Sequence, residues 1–137
     1  MGSFSPLPAA ALRILAAASS NGPVSKDDIR CFYDAAGLAL KNGHIVPHDG
    51  NNLGGDEILF GRAGLLWSIL IIRTQTRQFD DETQKALKPV YELIPKLIDV
   101  IVEGGKQGAK DYSDKHGDKD MMPLMYMWME GFYCLGV

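Results

Sequence analysis

Apolar residues recur at helical spacing in several stretches of the chain, and glycine and proline residues separate these stretches. The clearest pattern follows Ser25, where apolar side chains repeat every three to four residues: Ile29, Phe32, Tyr33, Ala36, Ala39 and Leu40. This spacing places them on one face of a helix. Residues 6–20 are rich in alanine and leucine and predict an earlier helix. We therefore expect two helices within residues 1–43.

A uniformly apolar run follows Gly64, because the eight residues 65–72 carry no charge. A helix that is apolar on all sides must be surrounded by protein, and a membrane span needs roughly 20 such residues. The run therefore predicts a buried inner helix, entered through a Gly61-x-x-Gly64 turn that permits close backbone approach. Asp56 and Glu57 stand directly before it, either at the mouth of a site or as solvated loop acids.

The remaining segments predict further helices joined by loops. Residues 44–62 contain turn-forming residues and predict a loop that ends in the Gly-x-x-Gly turn. Residues 63–110 predict helices, including a short one at 80–87 and one that starts at Pro89 and is kinked at Pro95. Residues 110–120 are densely charged and predict a solvated loop, and 121–128 form a Met-rich, aromatic core or interface segment.

Composition and charge narrow the function classes. The chain has 137 residues, 46% of them hydrophobic, which suits one globular domain. A net charge of −3 with interspersed signs argues against a nucleic-acid partner. Cys31 and Cys134 are about a hundred residues apart in the sequence, and no His stands at metal-ligand spacing from either of them. No metal site is predicted, and the expected setting is the cytoplasm, without a signal peptide or a lipidation motif.

His44 and His48 are four residues apart, a spacing that suits a metal only on a helix. Pro47 and the nearby glycines argue against a helix there. The chain then stops inside an apolar pattern that contains Phe132, Tyr133 and Leu135. From this ending we expect an incomplete domain whose exposed apolar surface favours self-association.

Two blocks resemble the eukaryotic lanthionine synthetase C-like (LanC-like) family. Residues 57–67, Glu-Ile-Leu-Phe-Gly-Arg-Ala-Gly-Leu-Leu-Trp, are similar to the family's E-L-L-Y-G-R-A-G-Y-L-Y. Residues 123–128, Pro-Leu-Met-Tyr-Met-Trp, followed by residues 133–137, resemble P-L-M-Y-E-W…Y-x-G-A-A-H-G, although Met127 stands in place of the family's Glu. Between these two blocks, residues 101–109 resemble the family's I-x-x-S-G-x-x-x-A. The resemblance covers residues 56–137.

The resemblance implies an all-α fold, a partial α/α toroid of helical hairpins. On this interpretation the chain is a single incomplete domain: two helices (1–43), a loop and the Gly-x-x-Gly turn (44–62), helices (63–110), and a loop with a truncated hairpin (111–137). The family adds thiols, from glutathione or cysteine, to dehydroamino acids in peptides. Its zinc is held by two Cys and one His, and peripheral membrane association is an alternative setting.

Carried over by residue, the resemblance makes Glu57 the candidate catalytic general acid or base. The family's catalytic His and its zinc-binding W-C-x-G and C-H-G turns do not occur in these 137 residues. We therefore expect no cofactor in this chain and no catalysis by it alone, with glutathione or a dehydroamino-acid peptide as partners of a full-length form. The alternative is a stand-alone helical interaction module whose Met-rich segment binds a partner.

Overall fold

The computed structural model describes residues 6–57, 61–78, 80–117, 122–129 and 132–135. Within these ranges the helices are α1 (Leu7–Ser20), α2 (Lys26–Lys41), α3 (Arg62–Gln75), α4 (Asp81–Tyr91) and α5 (Ile94–His116). The strands are β1 (Ile45–His48), β2 (Asn51–Gly54), β3 (Met125–Met129) and β4 (Phe132–Leu135). The all-α prediction therefore describes most of the chain but misses a small sheet.

The two helices predicted for residues 1–43 are present. The Ser25 side chain caps α2 by accepting a hydrogen bond from the Asp27 N–H at 3.3 Å, as expected for Ser at this position. The predicted apolar face of α2 is buried in part, because Phe32 and Ala36 are almost inaccessible to solvent but Tyr33 is 48% exposed. It meets α1, α3 and α4 in a helical core whose largest members are Ile14, Phe32, Ile69, Leu87 and Leu97.

α3 is less completely enclosed than the sequence predicts. Leu65, Ile69 and Ile72 are buried in the core, but Trp67 and Leu70 on other faces are 59% and 41% exposed. The prediction of a helix surrounded on all sides is therefore wrong for the described chain. An apolar run without charges does not show which face meets the core, because the hydrophobic pattern carries no direction when every position is apolar.

The predicted loop at residues 44–62 contains an antiparallel hairpin of β1 and β2. Asp49 and Gly50 connect the strands with φ angles of 48° and 79°, and the register pairs His48 with Asn51. Positive φ at both residues is the requirement of a type I′ hairpin turn, for which Asp-Gly is a preferred sequence. The strands are only four residues long, too short for their alternation to be recognised.

The sheet has the order β1-β2-β3-β4, and all its pairings are antiparallel. Met125 and Met127 of β3 are buried, whereas Trp128 and Met129 are 51% and 40% exposed. The prediction of a core or interface segment for 121–128 is thus confirmed for Met125 and Met127. The truncated helical hairpin expected in 111–137 is replaced by two strands in the described part. Residues 118–121, 130–131 and 136–137 lie outside the described ranges.

Three helix boundaries differ from the prediction. α4 continues past Pro89 to Tyr91, and α5 begins at Ile94 with Pro95 in its first turn. Proline is tolerated there because a first-turn N–H has no helical partner to lose, so the predicted kink is absent. The charged residues 110–116 extend α5 instead of forming a loop.

The toroid stays a prediction, since the described helices do not test it. None of the described helices combines the length and the apolar character that crossing a membrane requires.

Candidate functional site

Glu57 lies in the tight connection between β2 and α3. The Gly61 N–H donates to the Glu57 carbonyl at 2.7 Å, and the Arg62 N–H donates to the Gly55 carbonyl at 2.8 Å. A Cβ at Gly61 would overlap the Glu57 backbone, so glycine is required at this close approach. The predicted role of Gly61 is confirmed, whereas Gly64 lies inside α3.

A buried ion pair between Asp56 and Arg62 stabilises the connection between β2 and α3. The Arg62 guanidinium donates to both carboxylate oxygens of Asp56, from Nε at 2.6 Å and from Nη2 at 2.8 Å. The two side chains are only 6% and 3% exposed. Arg62 Nη1 also donates to the Asn42 carbonyl at 2.9 Å. Because buried charges must be paired, this contact joins the end of α2, the Asp56–Glu57 turn and the start of α3.

α5 approaches the pair through a glycine face. A Cβ at Gly104 would fall on the Asp56 carboxylate and the Arg62 guanidinium, and one at Gly108 would overlap the Met125 carbonyl. Gly105 similarly leaves room for the Tyr126 ring, whose hydroxyl donates to the Ile101 carbonyl at 3.1 Å. The absence of side chains at these positions brings both β3 and the buried pair against the helix.

His44 joins the other side of the hairpin to α5. Its Nε2 lies 2.7 Å from Asp111 Oδ2, and Gln107 donates to Asp111 Oδ1 at 3.0 Å. Burial acts to raise the pKa of Asp111, but the hydrogen bonds from His44 and Gln107, together with charge attraction, outweigh it. The pKa of Asp111 therefore lies below its ordinary value, and the ionised carboxylate stabilises the attachment of the hairpin.

Replacing His44 with alanine is expected to raise the pKa of Asp111 towards its ordinary value. A depressed carboxyl pKa contributes stability above the unfolded value of about 4, and this stability disappears as the pH falls through the folded value. The variant should therefore lose less stability than the parent on acidification below about pH 4. NMR titration of the Asp111 carboxyl carbon measures the change directly.

His48→Ala is the control for this titration, because the ion-pair partner of His48 within the described residues is the exposed Asp49, at 3.4 Å, and not Asp111. It should leave the Asp111 titration unchanged. An equal shift of the Asp111 pKa in both variants would contradict the assignment of His44 as its partner.

A groove of about 620 Å³ opens beside the Asp56–Glu57 turn. Its walls come from α2, the β1–β2 hairpin, the start of α3 and β3, and are mainly apolar: Leu7, Ala35, Leu38, Ala39, Val46, Leu53, Leu65, Trp128 and Met129. Glu57 and His48 also line it, as does Arg62, which is already bound to Asp56. Concave, mostly apolar sites with a few polar groups are the usual form of a ligand site.

Of the other residues singled out in the sequence, His48 reaches this groove, whereas His44 and Cys31 do not line it. His44 pairs with α5 while His48 lies on the groove lining, and the described residues contain no cluster of His, Cys, Asp and Glu able to hold a metal. Burial raises the pKa of the half-buried Cys31 thiol, and the nearby Asp28 carboxylate adds to the effect. Such a thiol is unreactive at neutral pH.

Sequence reasoning did not identify Arg62 or Trp128 as site residues. The pairing of Arg62 with Asp56 had a local signal, since an acid and a base flank a glycine turn at the start of a buried helix. Trp128 had none, because its place beside Glu57 depends on the pairing of Leu53 with Met129 across distant strands. The catalytic role of Glu57 stays a prediction.

Comparison with known proteins gives one informative similarity. Over 78 residues the chain is 32% identical to a protein named glutathione S-transferase LANCL1 from Danio rerio. The aligned part is 57% of this chain but only 16% of that relative. No protein-family model matches the chain, and no solved structure matches it. The similarity supports a LanC-like relationship and nothing finer.

Proposed function

We propose that this chain is part of a LanC-like protein and that the groove beside Glu57 binds a peptide ligand, either glutathione or a segment that carries a dehydroamino acid. The single observation that carries the proposal is the placement of Glu57 on the lining of a groove of about 620 Å³. The sequence similarity to a glutathione S-transferase supports the ligand class.

The groove lining suits both the uncharged stretch and the backbone N–H groups of such a peptide ligand. The apolar walls from Leu53, Leu65 and Trp128 would cover an uncharged peptide stretch and gain affinity by removing it from water. The Glu57 carboxylate can accept a hydrogen bond from a peptide N–H, and hydrogen bonds to a charged acceptor are the stronger kind. The apolar walls and Glu57 would therefore both contribute to affinity, and the hydrogen bond to Glu57 would also orient the peptide.

Thiol addition to a dehydroamino acid also requires a proton transfer. The sulfur–hydrogen bond breaks and the sulfur–carbon bond forms at the β-carbon, while the π electrons move to the α-carbon, which takes up one proton. We assign this transfer to Glu57, whose carboxylate can accept the thiol proton and, as the carboxylic acid, deliver it to the α-carbon. The hydrogen bond from the Gly61 N–H to the Glu57 carbonyl and the buried Asp56–Arg62 pair would anchor the backbone that carries this carboxylate.

The zinc implied by the family resemblance does not fit the described residues. They contain no cluster of His, Cys, Asp and Glu that could hold an ion, and the sequence has neither of the family's Cys-containing zinc turns. We propose that the chain as given binds the peptide but does not itself accelerate thiol addition.

Replacing Glu57 with glutamine is expected to weaken binding of a dehydroalanine-containing peptide or of glutathione about tenfold, because a hydrogen bond to a charged acceptor is lost. Titration calorimetry on the full chain measures the affinity. Glu82→Gln removes the same charge from an exposed site on α4 and should leave the affinity unchanged.

Equal weakening in the Glu57 and Glu82 variants would contradict the proposal, since only net charge would then matter.

A second function is favoured by a different observation, the exposure of Trp128, Met129 and Phe132 on β3 and β4. An interaction module would use this surface for a protein partner. Absence of ligand binding together with a defined oligomer and a cooperative melt would support that reading instead.

A further inference from the structure

A second, basic pocket lies between the C-terminal end of α3 and one face of α4. Its volume is about 540 Å³, and four of its lining residues are cationic: Arg73, Arg77, Lys85 and Lys88. The α4 members recur at helical spacing, so they share one face of that helix. Concentrating four cations in one pocket is conspicuous in a chain whose net charge is −3.

Hydrogen bonds and a ring contact order the floor of this basic pocket. The Thr76 and Tyr91 hydroxyls lie 3.0 Å apart, and the Gln84 side chain donates to the Thr76 carbonyl. The Arg73 guanidinium stands 5.8 Å from the centre of the Tyr91 ring, within the range of a cation–π contact. Thr76 is fully buried. The cations therefore project from an ordered surface, which lowers the entropic cost of binding a ligand.

The positive charge of the basic pocket is largely uncompensated. Among the described residues, only Lys88 of the four cations has an acidic partner, the exposed Glu92 at 3.8 Å. Asp81 is the one carboxylate on the lining. Arg73, Arg77 and Lys85 make no ion pair with a described carboxylate, so their charges are available to a ligand.

We propose that the basic pocket binds a ligand that carries two or more adjoining phosphoryl groups. Two guanidinium groups offer paired donors that match phosphate oxygens, and lysine adds point charges. A single phosphate would leave most of the four cations unused, whereas a di- or triphosphate spreads its charge over them. None of the lining residues is aliphatic, so charge and hydrogen bonds are what the pocket offers a ligand.

The basic pocket is separate from the Glu57 groove. Arg62 begins α3 and Arg73 lies in its last turn, so eleven residues of helix, a rise of about 16 Å, stand between them. Binding at one site can therefore be measured without occupying the other.

Inorganic tripolyphosphate, pyrophosphate and orthophosphate, together with ADP, are the probes for this proposal, titrated into the full chain at low salt. We expect tripolyphosphate to bind, and orthophosphate to bind at least about tenfold more weakly, because charge contacts add across phosphoryl groups. The affinity for tripolyphosphate should fall steeply as the salt concentration rises. ADP that binds as tightly as inorganic pyrophosphate would support recognition of the phosphoryl groups. ADP that binds more tightly than pyrophosphate would in addition identify a nucleoside phosphate as the source of those groups.

The double variant Arg77→Gln with Lys85→Gln tests the site, because neither side chain makes an ion pair within the described residues. It should weaken tripolyphosphate binding at least about tenfold. Lys26→Gln with Arg30→Gln is the matched control, since it removes the same charge from exposed positions along a different groove of α2 and α4. That control should change the affinity less than about twofold.

A site-specific readout completes the experiment. The Gln84 side-chain amide is expected to shift in NMR spectra on addition of tripolyphosphate. The proposal is overturned if tripolyphosphate does not bind at low millimolar concentration, if orthophosphate binds equally well, or if both double variants weaken binding to the same extent. A Gln84 signal that stays unchanged during binding would also overturn it.

Discussion

Replacing Gly104 with alanine is expected to lower the free energy of unfolding by about 3 kcal/mol, because the added methyl group has no space. Its Cβ would fall on the Asp56 carboxylate and within 2.9 Å of Arg62 Nη2. Either α5 moves away from the turn or the buried ion pair separates. Both outcomes cost packing and leave charges less well compensated.

Gly37→Ala is the matched control for Gly104→Ala. Gly37 also lies inside a helix, but an added Cβ there would meet nothing within 4 Å. Alanine should stabilise this helix by up to about 1 kcal/mol, since it loses less backbone entropy than glycine. Urea unfolding of both variants measures the contrast. A Gly104→Ala variant as stable as the parent would contradict the close approach of α5 to the pair.

Arg62→Met is expected to destabilise the protein by about 3–4 kcal/mol, the usual cost of breaking a buried ion pair on one side. Methionine retains much of the apolar stem but leaves the Asp56 carboxylate buried without its two donors, and the Asn42 carbonyl without a third. The loss should appear in urea unfolding at pH 7 as a lower midpoint with an unchanged slope.

Lys106→Met provides the comparison for Arg62→Met. Lys106 faces Glu103 at 3.8 Å, and their side chains are 61% and 73% exposed. Exposed pairs contribute between 0 and about 1 kcal/mol, so this variant should be nearly neutral. If Arg62→Met were equally neutral, the pair would not be the contact that holds the turn.

The helical part of the fold was accessible from sequence because its signals are local. The α2 face that includes Phe32 and Ala36 has both helical periodicity and a Ser25 cap, and both signals agree with the structure. The β1–β2 hairpin was not predicted, although Asp49-Gly50 carries the preference for a type I′ turn. Turn residues were taken as evidence for a loop, and four-residue strands gave too little alternation to correct this.

The glycines of α5 illustrate information that a single sequence does not contain. Gly104 and Gly105 suggest a weakened helix end when only local propensity is considered. In the structure they lie in the middle of a 23-residue helix, and their small size admits Asp56, Arg62 and Tyr126. Those partners are distant in sequence, so the benefit of glycine becomes visible only when the elements meet.

The candidate site was predicted only in part, because some of its contacts are local in the sequence and others are not. The position of Glu57 before a tight glycine turn was readable, because that turn is local. The groove itself was not, since Trp128 reaches it through the pairing of β2 with β3. The charged stretch that becomes the end of α5 was misassigned because the hydrogen bond that Asp111 accepts from His44 is also non-local.

The two tryptophans test the central claim, ligand binding beside Glu57, most directly. Trp128 lines the groove, whereas Trp67 does not, although both side chains are more than half exposed. Indole N–H signals of the labelled chain are followed during titration with glutathione and with a dehydroalanine-containing peptide. We predict that the Trp128 signal shifts saturably and that the Trp67 signal stays in place. A Trp128 signal that does not move, or equal shifts of both signals, would contradict the account.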